Sequence, residues 1–229
     1  MSLKLLRYLK KTKFDGIDTS PQLLESIQQA LFSVDKPFTA NSILEIGSRD
    51  GHDAYKLHKL FGIEHKHVHI IEPHPSCIKY ITKTYPQFKL YPYAIYDKEG
   101  TVNFNKVYSE NIGTSSILNR KDDYYLNKSE IITVDTITGL QWLITNQINE
   151  ISICKIDVEG ATLEVLKSFG SELKKIKLIH LECEHQEIWE GQSLYAEVAN
   201  YLNKNGYRQL FFNFVSNDEL QSDSIWYYD

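Results

Sequence analysis

The sequence predicts a doubly wound α/β domain built on a mostly parallel, seven-stranded sheet. From Asn41 onward, short β-branched runs alternate with segments of helical period, the pattern of strands covered by helices. Several of the runs, such as ISICKI at Ile151–Ile156, are almost continuously apolar, as strands buried on both faces must be. With 229 residues, 42% of them hydrophobic, the chain can bury about two-thirds of its unfolded surface in one core without disulfide support.

Strands are expected at Ser42–Ile46, Val68–Ile71, Phe88–Tyr93, Ile151–Ile156, Leu178–Leu181, Arg208–Val215 and Ile225–Tyr228. Helices are expected at Asp53–Phe61, Ser76–Tyr85, Leu140–Asn146, Ala161–Phe169 and Leu194–Asn205, with Thr136 and Ser193 as caps and Gly170 and Gly206 as terminators. Residues 1–40 form an N-terminal helical extension, in which Pro21–Phe32 is a helix capped by Ser20 with proline at its first position. Residues 41–229 form a single domain. Gly100–Thr133 breaks the alternation: Thr101–Val107 reads as a strand and a loop rich in Asn, Ser, Asp and Tyr follows, so a β-hairpin excursion after the third strand should cover one edge of the site. The Tyr- and Trp-rich Ile225–Tyr228 is either an edge through which copies pair into a homo-oligomer or the last strand inserted into the sheet.

A net charge of −5, from 25 basic and 30 acidic residues, gives no reason to expect a nucleic-acid partner, whose binders cluster positive charge. Three cysteines, Cys77, Cys154 and Cys183, match no zinc or redox spacing and are expected to be reduced thiols. No apolar run approaches the roughly 18 residues that span a bilayer, and the basic start, Lys4–Lys13, lacks a secretory h-region, so a cytoplasmic protein with a solvated terminus is expected.

Four stretches can carry chemistry. In Ile43-Leu44-Glu45-Ile46-Gly47-Ser48-Arg49-Asp50-Gly51, a buried strand enters a loop with two glycines and then a helix, so the backbone can approach a ligand closely. The missing third glycine weighs against pyrophosphate, and Glu45 suits a cationic amino group better than phosphates. Val68–Ile71 ends in Glu72-Pro73, where a carboxylate can accept hydrogen bonds from both hydroxyls of a ribose. Ile153–Ile156 ends in Asp157, with Glu159 and Gly160 at the next helix start. Leu178–Leu181 ends in Glu182, Cys183, Glu184 and His185. Were these last two strands neighbours, Asp157 and Glu182 would meet at one rim and one could act as a general base for a hydroxyl, with His185 a third candidate. Asp157, Glu182 and His185 together offer a minority reading as a divalent-cation site. The alternating His65, His67 and His69, near His74, enters a buried strand without zinc spacing, so no metal site is assigned.

The segment KIDVEGATLEVLKSFG, Lys155–Gly170, resembles the most characteristic stretch of FkbM-family methyltransferases. ILEIGSRDG, IIEPHP, YAIYDKEGTVNF, GTSSI, TVDTI and LIHLECEH resemble the family's other motifs in order, from about Ser42 to His185. The resemblance implies a class I, Rossmann-like methyltransferase fold, S-adenosylmethionine as methyl donor, and a hydroxyl acceptor on a sugar, glycan, polyketide or similar small molecule. Carried onto this chain, Glu45, Gly47, Ser48, Arg49, Asp50 and Gly51 would line the methionine end, Glu72 and Pro73 the ribose, and Tyr93, Ala94 and Ile95 the adenine. Asp157 would sit beside the methyl group. The chain departs from the family in Glu45, where Asp is commoner, and in Ser48-Arg49-Asp50. Competing readings are a nucleic-acid methyltransferase, suggested by the 15 tyrosines, a non-catalytic nucleoside-binding module, and an NAD-dependent oxidoreductase, which would be expected to carry three glycines.

Overall fold

A computed structural model describes residues 21–35, 37–122, 128–215 and 217–229. Its main sheet has the order β3-β2-β1-β7-β8-β10-β9. The strands are β1 (Ile43–Ile46), β2 (Val68–Ile71), β3 (Lys89–Tyr91), β7 (Ile151–Ile156), β8 (Ile176–Glu184), β9 (Tyr207–Phe214) and β10 (Gln221–Tyr228). β1 pairs in parallel with β2 and β7, and β7 with β8, whereas β10 runs antiparallel between β8 and β9. The C-terminal strand is therefore inserted, and β9, half of whose residues are solvent-exposed, is the edge.

Helices α1 (Pro21–Leu31), α2 (His52–Phe61), α3 (Pro75–Thr84), α4 (Gly139–Thr145), α5 (Thr162–Ser168) and α6 (Tyr195–Lys204) cover both faces. On one face Leu44, Ile156, Ile179 and Leu181 pack with Trp142, Leu166 and Phe169 from the α4–α5 side. On the other, Ile43, Ile153 and Leu178 pack with Leu23 and Ile27 of α1 and Ala54 and Leu57 of α2. Full burial on both sides, as in β1 and β7, is what selected near-continuous apolar runs, each buried Ile or Leu contributing about 1.5–3 kcal/mol. Cys154 and Cys183 are buried free thiols within this packing, and Cys77 is a buried free thiol on α3.

The excursion is larger than a hairpin. β5 (Gly100–Val107) pairs antiparallel with β6 (Ser129–Ile137), and β4 (Ala94–Ile95) joins β6 in parallel, making a second sheet of order β4-β6-β5. β6 escaped the sequence reading because only Val134 and Thr136 in it are buried, so backbone pairing rather than apolar alternation makes it a strand. The same strand corrects one cap. Thr136 still pairs with Gly100 in the ladder, and Thr138 caps α4 by accepting from the Gln141 N–H at 3.1 Å. At α6 the capping group is the Glu197 side chain, which accepts from the Leu194 N–H at 3.1 Å, not Ser193. Ser20 and the basic start lie outside the described residues.

No described helix is long and apolar enough to cross a membrane. At the start of α4, a Cβ on Gly139 would fall 2.6 Å from the ring of Phe169, which is fully buried. Gly139→Ala should therefore destabilise by about 1–3 kcal/mol, lowering Tm by roughly 3–10 °C, although alanine is the better helix former. An unchanged Tm in thermal unfolding would show that the ring has room to shift.

Candidate active site

The parallel register aligns ionisable groups on the α1–α2 face. Glu45 lies opposite Lys155, and Lys155 opposite His180. One pleat further, at the carboxyl rim, Asp157 follows β7 and Glu182 pairs with Asp223 of β10. The face that is apolar at Ile43, Ile153 and Leu178 thus becomes charged where the strands end.

Lys155 is the cation of this row. Its Nζ lies 2.9 Å from Asp157 Oδ2 and 3.4 Å from Asp53 Oδ2. These carboxylates outweigh the desolvation of a buried ammonium and hold its pKa well above the ordinary lysine value.

Glu45 does not face a cavity. It is 1% exposed, accepts from Ser48 Oγ at 2.8 Å and from the Ala54 N–H at 3.2 Å, and so caps the first turn of α2 from the strand below. Burial, partly offset by Lys155, pushes its pKa up to about 8. The loop above is compressed: Gly47 and Gly51 have φ of 76° and 75°, and Arg49 is left-handed at 57°. A Cβ on Gly47 would fall 1.8 Å from the Asp157 carbonyl oxygen, so only glycine lets this loop cross β7.

The larger cavity, about 260 Å³, spans Gly47, Arg49, Ile71, Glu72, Pro73, Ala94, Ile95, Asp157, Glu159 and Glu182. Glu72 is buried at its edge, with Oε2 accepting from the Arg49 N–H and Oε1 from the His74 N–H, both at 2.8 Å. Burial raises its pKa to about 7 despite those bonds. Ile112–Ile117 form another wall, placed there by Ser116, whose hydroxyl donates to the Glu159 carbonyl at 2.6 Å. A carboxyl beside apolar Ile71, Ala94, Ile95 and Phe104 suits a nucleoside, with polar ribose at one end and a flat apolar base at the other.

A second crevice, about 180 Å³, meets the first at Gly47, Arg49, Asp157 and Glu182, and is lined also by Ser48, Asp50, Asp53, Lys155, His180 and Asp223. His180 is 3% exposed and neither ring nitrogen has a hydrogen-bond partner. Its closest acid oxygen is Asp223 Oδ1 at 3.7 Å. Burial and the Lys155 charge lower its pKa to about 4, so the imidazole is neutral.

Where the two cavities meet, Asp157, Glu159 and Glu182 each place a carboxylate oxygen within 4.8 Å of the others. Burial first, then Asp157 and Asp223, push Glu182 up to about 9, and Glu159 is raised well above the ordinary carboxyl range by burial, then by Asp157, Glu182 and Glu184. Glu159 sits at φ 52°, a strained conformation for a side chain, that the Ser116 bond helps to hold.

His185 is not part of this group. β8 extends to Glu184, and an offset of three along a strand puts His185 on the face opposite Glu182. There its Nε2 lies 2.8 Å from Ser222 Oγ and the ring stacks on Tyr195 at 4.9 Å. The trio Asp157, Glu182 and His185 is therefore not assembled. Tyr93 packs on Tyr91 at 5.9 Å outside the cavity, while Gly51 abuts the Tyr85 ring. His74 caps α3 and His69 bonds the Tyr91 hydroxyl at 3.0 Å. Lys155, His180, Asp53 and Asp223 were missed as site residues. For the first two there was a signal, an ionisable residue inside an otherwise apolar strand.

Residues 45–209 match the family model for the methyltransferase FkbM domain. No curated protein matches the chain. Among solved structures, the FkbM methyltransferase of Methylobacillus flagellatus superposes with a TM-score of 0.53 at 15% identity over 86% of this chain, which spans 46% of that one, somewhat less than half its length. Sp1610 of Streptococcus pneumoniae, described as a candidate tRNA (m1A22) methyltransferase, gives 0.51 at 10% identity over 92% of this chain and 71% of that one. A Streptococcus agalactiae protein of the NADB-Rossmann superfamily gives 0.50 at 10% identity over 93% and 70%. At these identities the likenesses show the class I, Rossmann-like fold alone. The family match covers most of the chain, which therefore belongs to the FkbM methyltransferase family.

Proposed function

We propose that this chain transfers the methyl group of S-adenosylmethionine to a hydroxyl oxygen of a small polar acceptor such as a sugar, glycan or polyketide, acting as one domain over residues 41–229 and in the cytoplasm. One observation carries the reading: a nucleoside-shaped cavity and a polar crevice meet at carboxyl groups, Asp157 and Glu182. The larger cavity takes the donor, with Glu72 and Pro73 at the ribose, Ala94 and Ile95 at the adenine, and Gly47 and Arg49 toward the methionine end. Ser48, Asp50 and Gly51 act through the loop, Glu45 braces it from below, and Tyr93 supports the adenine wall from outside.

The acceptor enters the smaller crevice. In methyl transfer to oxygen, positioning supplies much of the rate, and the hydroxyl proton needs a base. Glu182, bonded by Gln221 Nε2 at 3.0 Å, is that base, and Asp157, anchored by Lys155, orients the hydroxyl. The acidic lining disfavours phosphate-rich acceptors, which weighs against a nucleic acid.

Calorimetric titration with S-adenosylhomocysteine should show binding that Glu72→Ala weakens at least about tenfold through the lost ribose bonds, with no response to NAD. Binding of NAD, or indifference to Glu72→Ala, would overturn the donor assignment.

In an acceptor screen with labelled donor, Glu182→Gln should lower kcat by about 10²–10⁴ with S-adenosylhomocysteine still bound. Transfer by the unaltered protein should rise with pH as Glu182 loses its raised proton. Full activity in Glu182→Gln would remove it as the base.

A further inference from the structure

Around the meeting point of the two cavities, positive and negative charge do not balance. Asp157, Glu159 and Glu182 have carboxylate oxygens within 4.8 Å of one another. Facing them are Glu184 from β8, Asp223 from β10 and Asp53 from α2, against Lys155 and Arg120, while the half-exposed Arg49 of the shared wall is set 4.0 Å from Asp50. Lys155 is already held by Asp53 and Asp157. Three carboxylates at that spacing cannot all ionise with one shared cation, so one or more keeps its proton until further positive charge arrives. The group is also built rather than incidental. Ser116 holds Glu159 in its left-handed conformation, Gln221 bonds Glu182, and Lys155 bonds Asp157. A second, independent feature points to a ligand here, because buried His180, with both ring nitrogens unpartnered, faces the crevice that Asp157 and Glu182 share.

The methyl donor and its product differ by one positive charge, since the sulfonium becomes a neutral thioether when the methyl group leaves. We propose that Asp157, Glu159 and Glu182 form a charge-selective seat that favours the cationic donor over its neutral-sulfur product, and that donor binding expels a proton that product binding does not. The inference rests on the donor assignment above and extends it to discrimination between donor and product.

The same seat closes the proton balance of the transfer. With the donor bound, a carboxyl of the group is ionised. The bond from oxygen to the methyl carbon forms as the bond from sulfur breaks, the hydroxyl gives its proton to that carboxylate, and the positive charge on sulfur disappears in the same event. The carboxyl returns to its protonated state, and the attraction that held the donor is gone, which favours product release.

The test is calorimetric titration of the full chain with S-adenosylmethionine and, separately, S-adenosylhomocysteine. Chelator is present, and two buffers of different ionisation enthalpy are used between about pH 6 and pH 9. The donor should release close to one proton more than the product, and the donor-to-product affinity ratio should rise with pH by up to about tenfold per unit where that proton is lost. Glu159→Gln and Glu182→Gln should each shrink both the proton difference and the ratio while leaving product affinity within about threefold, which also reports that the variants are folded. Equal proton release for the two ligands, a ratio flat in pH, or variants that weaken both ligands alike would overturn the proposal. Binding of neither ligand would instead strike at the donor assignment.

Discussion

The Lys155 ammonium is the interaction on which the site depends. It sits at the end of a fully buried strand, within reach of Asp157 just past the end of that strand and Asp53 on α2, opposite Glu45 of β1. Without it, carboxylates on a strand, a helix and a loop would be left in low dielectric with no compensating charge, at a penalty of several kcal/mol for an uncompensated buried ion. With it, the β1–α2 loop can be drawn down over the tip of β7 until Gly47 touches the Asp157 carbonyl. That contact brings the larger cavity and the polar crevice to a common wall.

From there the architecture follows from parallel pairing. β1, β7 and β8 run the same way and share a register, so residues two apart on each strand stack in rows across the sheet. Rows of Ile and Leu make the core, and the last rows make the site. The antiparallel insertion of β10 adds Asp223 to that rim from the far end of the chain. The second sheet contributes through position rather than charge: it carries the loop of Ile112–Ile117 over the cavity and pins it to Glu159 through Ser116.

The order of strands and helices was legible in the residues because strands covered on both faces must be apolar throughout, and glycines had to follow β1 and α5. Glu72 was legible as well, being an acid at a strand tip next to a proline. The second sheet was not legible. β6 buries only two of its nine side chains, so its strand character resides in hydrogen bonds to β5 and β4 that no local pattern records. His185 was misplaced for a related reason: its face depends on how far β8 continues, and β8 runs to Glu184, three residues past Leu181, where the apolar run stops.

By itself the sequence determined the layered α/β architecture, the glycine loop, and which strands end in acids, because these depend on residue type and spacing along the chain. Only the tertiary structure decided that Glu45 braces a helix from beneath, that Lys155 and His180 belong to the site, and that Glu159 joins Asp157 and Glu182 while His185 turns away. Those outcomes depend on which strands lie side by side and on which face each residue emerges, and both are settled by pairing across the sheet rather than by neighbours in sequence.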